Sequence, residues 1–396
     1  MPGLLFLPEL RGRPLQCMPF ACGRRRHRSG LIRALALWTD AASVSFVRLL
    51  LPNPSLIVIN TGARREPDGR RNHRKRNIPM ATALKRPFGD SGVKEKFDAI
   101  VEQIGGIVLG KERQIRLALT CLFSEGHLLI EDLPGIGKTT LAKVLSRCLG
   151  LQFRRVQFTS DMLPGDILGT SVFEQKTGRF VFHPGPIFTQ VLLADEINRA
   201  TPKTQSALLE AMEERQVTTE GSTRPLEPPF FVIATQNPLE QSGTFPLPES
   251  QLDRFLMRIT LGYPDRASEK LLLQQGDAKT IFDDTASCLE PPDVLNIQRR
   301  AAGVHLSDAL LDYAQDLLDF TRRSEHFAVG LSPRAGLALL RATRTWAYLN
   351  GRKFGLPEDL QTVFPWVVGH RLRSAEHFAE IPAERLAAIF RSVPVP

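Results

Sequence analysis

The sequence has no hydrophobic run long enough to cross a membrane. Residues 49–63 form an uncharged stretch, but Pro52 and Pro54 interrupt it, and a spanning helix needs about 20 apolar residues. The first residues also lack the positively charged start and long apolar core of a secretory signal. We therefore expect a cytoplasmic protein without a membrane span.

Cysteine is scarce as well. The chain has five cysteines, at positions 17, 22, 121, 148 and 288, and the three beyond residue 80 show no metal-ligand spacing. The cysteines therefore indicate no metal site in the main part of the chain. We expect these thiols to be reduced, as is usual in the cytosol.

Acidic residues are rare in the first 79 residues. This segment holds 15 Lys and Arg against 4 Asp and Glu, a net charge of +11, which leaves −2 for the rest because the whole chain carries +9. Its arginine clusters at 24–28 and 70–76 could bind nucleic acid or an anionic membrane. An alternative is an arginine-rich transit peptide.

A simpler interpretation of residues 1–79 is a disordered tail or a gene-model extension. The segment has no hydrophobic periodicity, and Met80 offers a start codon position just before the regular part of the chain. We expect translation to begin at Met80. Detection of peptides from residues 1–79 in native protein by mass spectrometry would contradict this.

The remaining length exceeds one typical compact core, and 42% hydrophobic residues suffice for globular packing. Apolar and charged segments predict an α/β domain over 80–264. From about residue 288 onward, apolar residues recur at spacings near three and four, which favours amphipathic helices. We therefore predict a second, α-helical domain over 265–396.

The most informative motif begins at the apolar run His127–Ile130. Gly135 and Gly137 follow it, then Lys138 and Thr139, which is the arrangement of a Walker A loop between a strand and a helix. Lys138 would bridge the β- and γ-phosphates, and Thr139 would bind Mg²⁺. The predicted nucleotide contacts are Pro134, Gly135, Ile136, Gly137, Lys138, Thr139 and Thr140. The motif has Asp132 where its first glycine is expected, and the alternative is a lysine-containing turn.

A second apolar run, Val191–Ala194, ends in two adjacent carboxylates. A working nucleotide hydrolase needs one carboxylate for the metal and one for the attacking water. We predict that Asp195 holds Mg²⁺ through a water molecule and that Glu196 polarises the attacking water. The alternative is an acidic turn after a core strand.

A third apolar run, Phe230–Thr235, is followed by Asn237. Because parallel strands end at one edge of a sheet, Asn237 is expected near Asp195 and the glycine-rich loop. An amide there could orient the water or contact the γ-phosphate. A plain Asn-Pro turn is the competing interpretation.

These motifs stand in a longer pattern. The stretches 163–169, 194–214, 246–255 and 331–335 together resemble the MoxR branch of the AAA+ ATPases, within its helix-2-insert group. The resemblance covers about residues 95–375. It implies an α/β AAA+ P-loop NTPase core with a parallel sheet, followed by a small α-helical lid domain.

The resemblance also assigns roles to particular residues. Asn237 matches the position called sensor 1, Arg254 the arginine finger that reaches a neighbouring subunit's nucleotide, and Arg334 the lid arginine called sensor 2. Whether Arg334 acts on its own subunit or a neighbour is left open. The competing interpretations are a surface ion pair for Arg254 and a simple helix start for Arg334.

Two β-hairpins are predicted beside this core. Short β-type runs flank the turn residues 175–178, and a second hairpin is indicated over 216–226. The family resemblance implies that the first is the helix-2 insertion, which projects toward the ring pore or the client. Either hairpin could instead be a decoration of the sheet edge.

The expected function is that of a MoxR-type ATPase using ATP and Mg²⁺. The resemblance implies a homo-oligomer, expected to be a hexamer, that remodels client proteins or assists their maturation or metal and cofactor insertion, often with a von Willebrand factor A domain protein. Two alternatives are a nucleic-acid motor or transcription regulator and a nucleotide-gated scaffold with little turnover. The main part of the chain has no net positive charge, so nucleic acid is not an expected partner.

Overall fold

The computed structural model describes residues 92–238, 243–275 and 286–395. The predicted basic tail therefore lies outside the described residues. The helices are α1 (Val93–Gly105), α2 (Glu112–Phe123), α3 (Lys138–Cys148), α4 (Pro164–Leu168), α5 (Pro202–Glu214), α6 (Glu249–Leu252), α7 (Arg266–Gln275), α8 (Pro291–Ala302), α9 (Asp308–Arg323), α10 (Pro333–Leu349), α11 (Pro357–Val368) and α12 (Ala383–Phe390).

The centre of the fold is a five-stranded parallel sheet in the order β2-β5-β8-β1-β9. Its strands are β1 (Leu128–Glu131), β2 (Phe153–Gln157), β5 (Val191–Asp195), β8 (Phe231–Gln236) and β9 (Met257–Ile259). Because all five strands run the same way, their carboxyl ends lie at one edge. The residues after β1, β5 and β8 therefore share that edge.

Both faces of the sheet are covered, which explains why its central strands are continuous apolar runs rather than alternating ones. All residues of β5 are buried. Leu128, Ile130 and Leu193 belong to one core with α1, α2, α3 and the later helices. Leu129 and Leu192 belong to a second core with α5.

The two predicted hairpins are confirmed. β3 (Gly169–Glu174) pairs antiparallel with β4 (Arg179–Pro184), and β6 (Gln216–Thr219) pairs with β7 (Ser222–Pro225). The hairpins touch each other, since Ser171 donates a hydrogen bond to Glu220 and the Arg224 guanidinium lies 3.7 Å from the centre of the Phe182 ring.

The helices from α8 to α12 form the lid predicted from the apolar periodicity. Ser307 and Ser332 cap α9 and α10, each accepting a hydrogen bond from a backbone N–H of the first turn. The helices α10 and α11 pack on each other, and α11 also contacts β9 of the core. None of the helices within the described ranges is both long and apolar enough to span a membrane.

Candidate functional site

The glycine-rich loop joins the carboxyl end of β1 to the first residue of α3. Gly135 and Gly137 have φ values of 82° and 91°, a conformation that side chains rarely adopt. A Cβ atom built at either glycine would meet no atom within 4 Å. The loop therefore borders open space at the amino end of a helix, where backbone N–H groups favour an anion such as a phosphate.

Lys138 is the first residue of α3 and is buried. Its Nζ donates to the backbone oxygen of Asp132 at 2.5 Å and lies 3.4 Å from that of Gln236. The pKa of Lys138 is lowered by burial, an effect that the nearby carboxylates of Asp132, Asp195 and Glu196 only partly offset. The ammonium group thus lies at the sheet edge, between the ends of β1 and β8.

Asp132 explains the missing first glycine of the motif. Its Oδ2 accepts hydrogen bonds from the backbone N–H groups of Leu261 and Gly262 at 2.7 and 2.6 Å, and its Oδ1 accepts one from Leu133. The Asp132 side chain therefore has a structural role. It holds the segment that follows β9 against the start of the glycine-rich loop.

The acidic pair after β5 is positioned by a threonine that the sequence did not single out. Thr235, in β8, donates its hydroxyl hydrogen to Asp195 Oδ1 at 2.5 Å and accepts a hydrogen bond from the Glu196 backbone at 2.9 Å. Glu196 has φ 56° and ψ 50°. This left-handed turn directs the chain away from the strand immediately after Asp195.

Polar residues on β2 complete this edge. Arg155 donates to Asp195 Oδ2 through Nε at 3.0 Å and Nη2 at 2.6 Å. Gln157 donates to Glu196 Oε2 at 2.7 Å, and Arg199 pairs with the same carboxylate at 2.7 Å. No motif in the sequence marks Arg155, Gln157 and Arg199, because they belong to an otherwise ordinary strand and turn, so only the structure reveals their place at this edge.

Asn237 follows β8 directly and is buried. In the sheet, β8 lies between β5 and β1. Asn237 is therefore at the strand end between the acidic pair and the glycine-rich loop, which is the edge that the sequence predicted for it.

The donor chemistry of this edge fits Mg²⁺ and a nucleotide. Thr139 and Thr140 lie in the first turn of α3, and Pro134 and Ile136 lie in the loop before it. The hydroxyl of Thr139 and the carboxylate of Asp195 supply the hard oxygen ligands that Mg²⁺ prefers. Phosphate oxygens would occupy the space beside Gly135 and Gly137.

Arg254 and Arg334, which the family resemblance assigns to nucleotide phosphates, lie together at the carboxyl end of α5. Arg254 Nη1 lies 2.8 Å from Glu213 Oε2 and donates to the Leu209 backbone oxygen at 2.7 Å. Arg334, at the start of α10, pairs with the other oxygen of Glu213. Both arginines therefore meet at one carboxylate at the end of α5.

This meeting point lies at the amino end of β1, opposite the glycine-rich loop. His127, which directly precedes β1, contacts the Met212 backbone oxygen at 3.1 Å and accepts a hydrogen bond from the Leu256 backbone at 2.9 Å. Met212 neighbours Glu213, and Leu256 lies two residues after Arg254. A four-residue strand, about 13 Å long, thus separates the arginines from the Lys138 side of the sheet.

Family models match both parts of the chain. Residues 127–257 match the model described as the ATPase family associated with various cellular activities (AAA), and residues 319–390 match an AAA lid domain. The first match begins at the residue before β1 and includes the loop, the acidic pair and Arg254.

The chain is also similar to known proteins along most of its length. It is 41% identical to the uncharacterised protein YeaC of Bacillus subtilis, over 75% of this chain and 93% of that one. It is 39% identical to chaperone MoxR1 of Mycobacterium tuberculosis, over 72% and 78%. It is 33% identical to protein MoxR of Paracoccus denitrificans, over 74% and 94%.

A similar fold is present in a solved structure. The crystal structure of a predicted ATPase from Cytophaga hutchinsonii superposes with a TM-score of 0.70 at 35% identity, over 78% of this chain and 97% of that one. The predicted combination of a parallel-sheet AAA+ core and a helical lid is therefore confirmed.

Proposed function

The chain belongs to the MoxR family of AAA+ ATPases and is an ATPase with a chaperone-like role, and we propose that it works as a homo-oligomeric ring. A hexamer is the expected size. ATP with Mg²⁺ is the proposed nucleotide, and each site is completed by arginines from the adjacent subunit. From the family relationship we also propose an α/β core over 80–264 and a helical lid over 265–396. The roles proposed for individual site residues follow.

Nucleotide binding would use the loop and the first turn of α3. The backbone N–H groups of residues 134–140 would cradle the phosphates, and Lys138 would neutralise charge on the β- and γ-phosphates. Thr139 and Asp195 would hold Mg²⁺, which spreads the negative charge of the phosphates when bound. Arg155 already engages one oxygen of Asp195, leaving its carboxylate fixed in orientation.

Hydrolysis would use the second carboxylate. Glu196 would accept a hydrogen bond from a water molecule and polarise it for attack on the γ-phosphorus, and Asn237 would orient the same water. The water oxygen bonds to the γ-phosphorus as its proton passes to Glu196, the bond from phosphorus to the bridging oxygen breaks, and ADP, phosphate and the proton are released. Gln157 and Arg199, which contact Glu196, would keep its carboxylate at the sheet edge.

The position of Arg254 and Arg334 carries the proposal of a shared site. Both contact Glu213 at the far end of α5, a helix of 13 residues, or about 20 Å, that begins shortly after Glu196. Neither guanidinium is near the phosphate loop of its own chain. A nucleotide bound to an adjacent copy is the partner that such arginines would serve, since guanidinium groups stabilise charge on a transferring phosphoryl group. On this basis Arg334 acts in trans, like Arg254.

Client contact is assigned to the β3–β4 hairpin. Phe173 and Phe180 stand side by side near its turn with ring centres 5.3 Å apart, and their exposed fractions are 51% and 73%. Exposed aromatic side chains of this kind mark surfaces that bind other proteins. We propose that this pair grips segments of a client polypeptide during remodelling.

The remaining elements of the proposal concern biology. We propose a cytoplasmic protein that assists maturation or metal and cofactor insertion of a client, together with a von Willebrand factor A domain protein. The family relationship supports these assignments. The basic segment that suggested nucleic-acid binding lies outside the described residues.

Steady-state ATP hydrolysis tests the shared site. Activity of the full chain should rise more than linearly with protein concentration and should be lost in Glu196→Gln. An equal mixture of Lys138→Ala and Arg254→Ala should regain part of the activity, because one variant supplies arginines and the other an intact nucleotide site. A silent mixture in which the Arg254→Ala subunits still bind ATP would refute the shared site. Wild-type protein that binds ATP but hydrolyses none at any concentration would favour a nucleotide-gated scaffold.

A further inference from the structure

Arg371, which follows α11, makes an extended contact with the segment that carries Arg254. Its Nε donates to Asp253 Oδ1 at 2.6 Å. Its Nη2 donates to the backbone oxygens of Phe255 at 2.8 Å and Asp253 at 3.2 Å, and its Nη1 to that of Leu256 at 3.3 Å. Arg371 also hydrogen-bonds the Val367 backbone oxygen within its own lid.

This contact is shielded from solvent. The side chain of Arg371 is 7% exposed, and the neighbouring His370, also buried, contacts the Phe255 backbone oxygen at 3.1 Å. Hydrogen bonds from a charged donor in such a place are stronger than those at the surface. The lid therefore holds the core at the residues on both sides of Arg254.

The geometry needs an arginine. A guanidinium presents five donors in a fixed plane, so it can serve Asp253, Phe255 and Leu256 at once. A lysine has the charge and a similar length, but its single nitrogen cannot span these acceptors. Lysine at position 371 would thus keep a cation in the interface while releasing part of the backbone of residues 253–256.

The lid brings its second arginine to the same place. Arg334 pairs with Glu213, which also pairs with Arg254, and the Arg334 Nε lies 4.0 Å from Asp253 Oδ2. Asp253 is thus shared by Arg371 and Arg334, and Glu213 by Arg334 and Arg254. These ion pairs connect the lid and the Arg254 segment through a continuous set of side chains.

We propose that Arg371 is a positioning residue, which locks the lid to residues 253–256 so that Arg254 and Arg334 are presented to the adjacent subunit as one rigid pair. The inference rests on the proposed shared site. The hydrogen bonds of Arg371 go to residues 253–256 and to Val367. Arg371 acts on the neighbour's hydrolysis by fixing where the two arginines stand, and it does not contribute to the nucleotide site of its own chain.

A mere structural contact between core and lid would behave differently. Loss of such a contact would weaken a subunit in either role, as supplier of arginines or as holder of the nucleotide. A positioning residue matters in the supplying subunit alone. This asymmetry separates the two roles and can be measured in mixed assemblies of full-length chains.

The experiment uses Lys138→Ala subunits as suppliers and Arg254→Ala subunits as holders. Arg371→Lys is introduced into the supplier or into the holder, and kcat and KM for ATP are measured for each mixture. Arg352→Lys is the matched control, because Arg352 pairs with Asp359 entirely within the lid. Thermal unfolding of each variant verifies that it is folded, and Asp253→Asn provides a second variant that weakens the same contact.

With Arg371→Lys in the supplier, kcat should fall at least about 10-fold with KM unchanged, since small displacements of catalytic groups are costly. With the change in the holder, kcat should stay within about 2-fold of the unmodified mixture, as it should for Arg352→Lys in either place. Equal loss in both placements, or no loss in the supplier, would overturn the proposal for Arg371. Absence of activity in the unmodified mixture would instead refute the shared site on which it rests.

Discussion

Thr235 donates its hydroxyl hydrogen to Asp195 across two neighbouring strands, at 2.5 Å. The same oxygen accepts the backbone N–H of Glu196 at 2.9 Å. One hydroxyl therefore orients the proposed metal ligand and stabilises the left-handed turn that carries the proposed base. Such a conformation costs about 1–3 kcal/mol and persists only where its surroundings support it.

Replacement of Thr235 tests this arrangement. Thr235→Val keeps the branched shape but removes the hydroxyl, so kcat for ATP hydrolysis should fall about 10- to 100-fold, while the Kd for ATP should change less than about 3-fold. Thr235→Ser should restore most of the activity because it keeps the oxygen. Equal activity of the Val and Ser variants would contradict the role of this hydroxyl.

Replacing Asp132 by the glycine of the general motif should destabilise the fold. Asp132→Gly removes the acceptor of the Leu261 and Gly262 N–H groups, and each buried polar group left unpaired costs about 1–3 kcal/mol. The free energy of unfolding should drop by roughly 2–6 kcal/mol in urea denaturation. Asp132→Asn, which retains one acceptor oxygen, should lose less. A glycine variant as stable as the wild type would contradict this structural role of Asp132.

His127 should make the fold sensitive to acid. Burial lowers the pKa of His127 to about 4. Its Nδ1 accepts a hydrogen bond from the Val232 N–H at 3.0 Å, and its Nε2 contacts the Met212 backbone oxygen. The unfolded chain, with an ordinary histidine pKa near 6.5, binds the proton first as the pH falls. Stability is therefore lost progressively below about pH 6.5.

The comparison of wild type with His127→Gln isolates this effect. Between pH 7 and pH 5 the free energy of unfolding of the wild type should fall by on the order of 2 kcal/mol more than that of the variant. His305→Gln, a change at an exposed histidine, serves as the control and should follow the wild type. Parallel curves for wild type and His127→Gln would show that His127 does not titrate in this way.

The aromatic pair of the first hairpin can be tested with a permanently unfolded polypeptide such as reduced casein. Phe180→Ala should leave basal ATPase activity unchanged. It should raise the casein concentration needed for half-maximal change in ATPase activity about 5- to 10-fold, because roughly 1 kcal/mol of aromatic contact is lost. Phe354→Ala, at an exposed lid phenylalanine, is the matched control. An equal effect of both changes would remove the hairpin from the proposed client surface.

Several features followed from the sequence because they depend on neighbouring residues. The local spacing of the glycines and Lys138 predicts a phosphate-binding loop, and both hairpins follow from turn residues between β-type runs. The parallel sheet then made the position of Asn237 predictable, since strand ends share an edge. The roles assigned to these residues stay predictions until they are tested.

Other features have no local signature. Glu213 and Arg334 are 121 residues apart in the chain, and Arg371 and Asp253 are 118 apart. The hydrogen bonds of Asp132 likewise join residues separated by 129 and 130 positions. Nothing in the spacing of these residues indicates that they meet, because each pair is brought together by the packing of the lid and sheet.

The sequence by itself determined that this chain has a nucleotide-binding α/β core and an α-helical lid, because periodicity and short motifs encode elements and their order. Only the tertiary structure decided that Arg254 and Arg334 lie together at the sheet edge opposite the glycine-rich loop of their own chain. The reason is physical: the direction of a strand and the docking of the lid fix which edge a residue occupies, and neither is written in its neighbours.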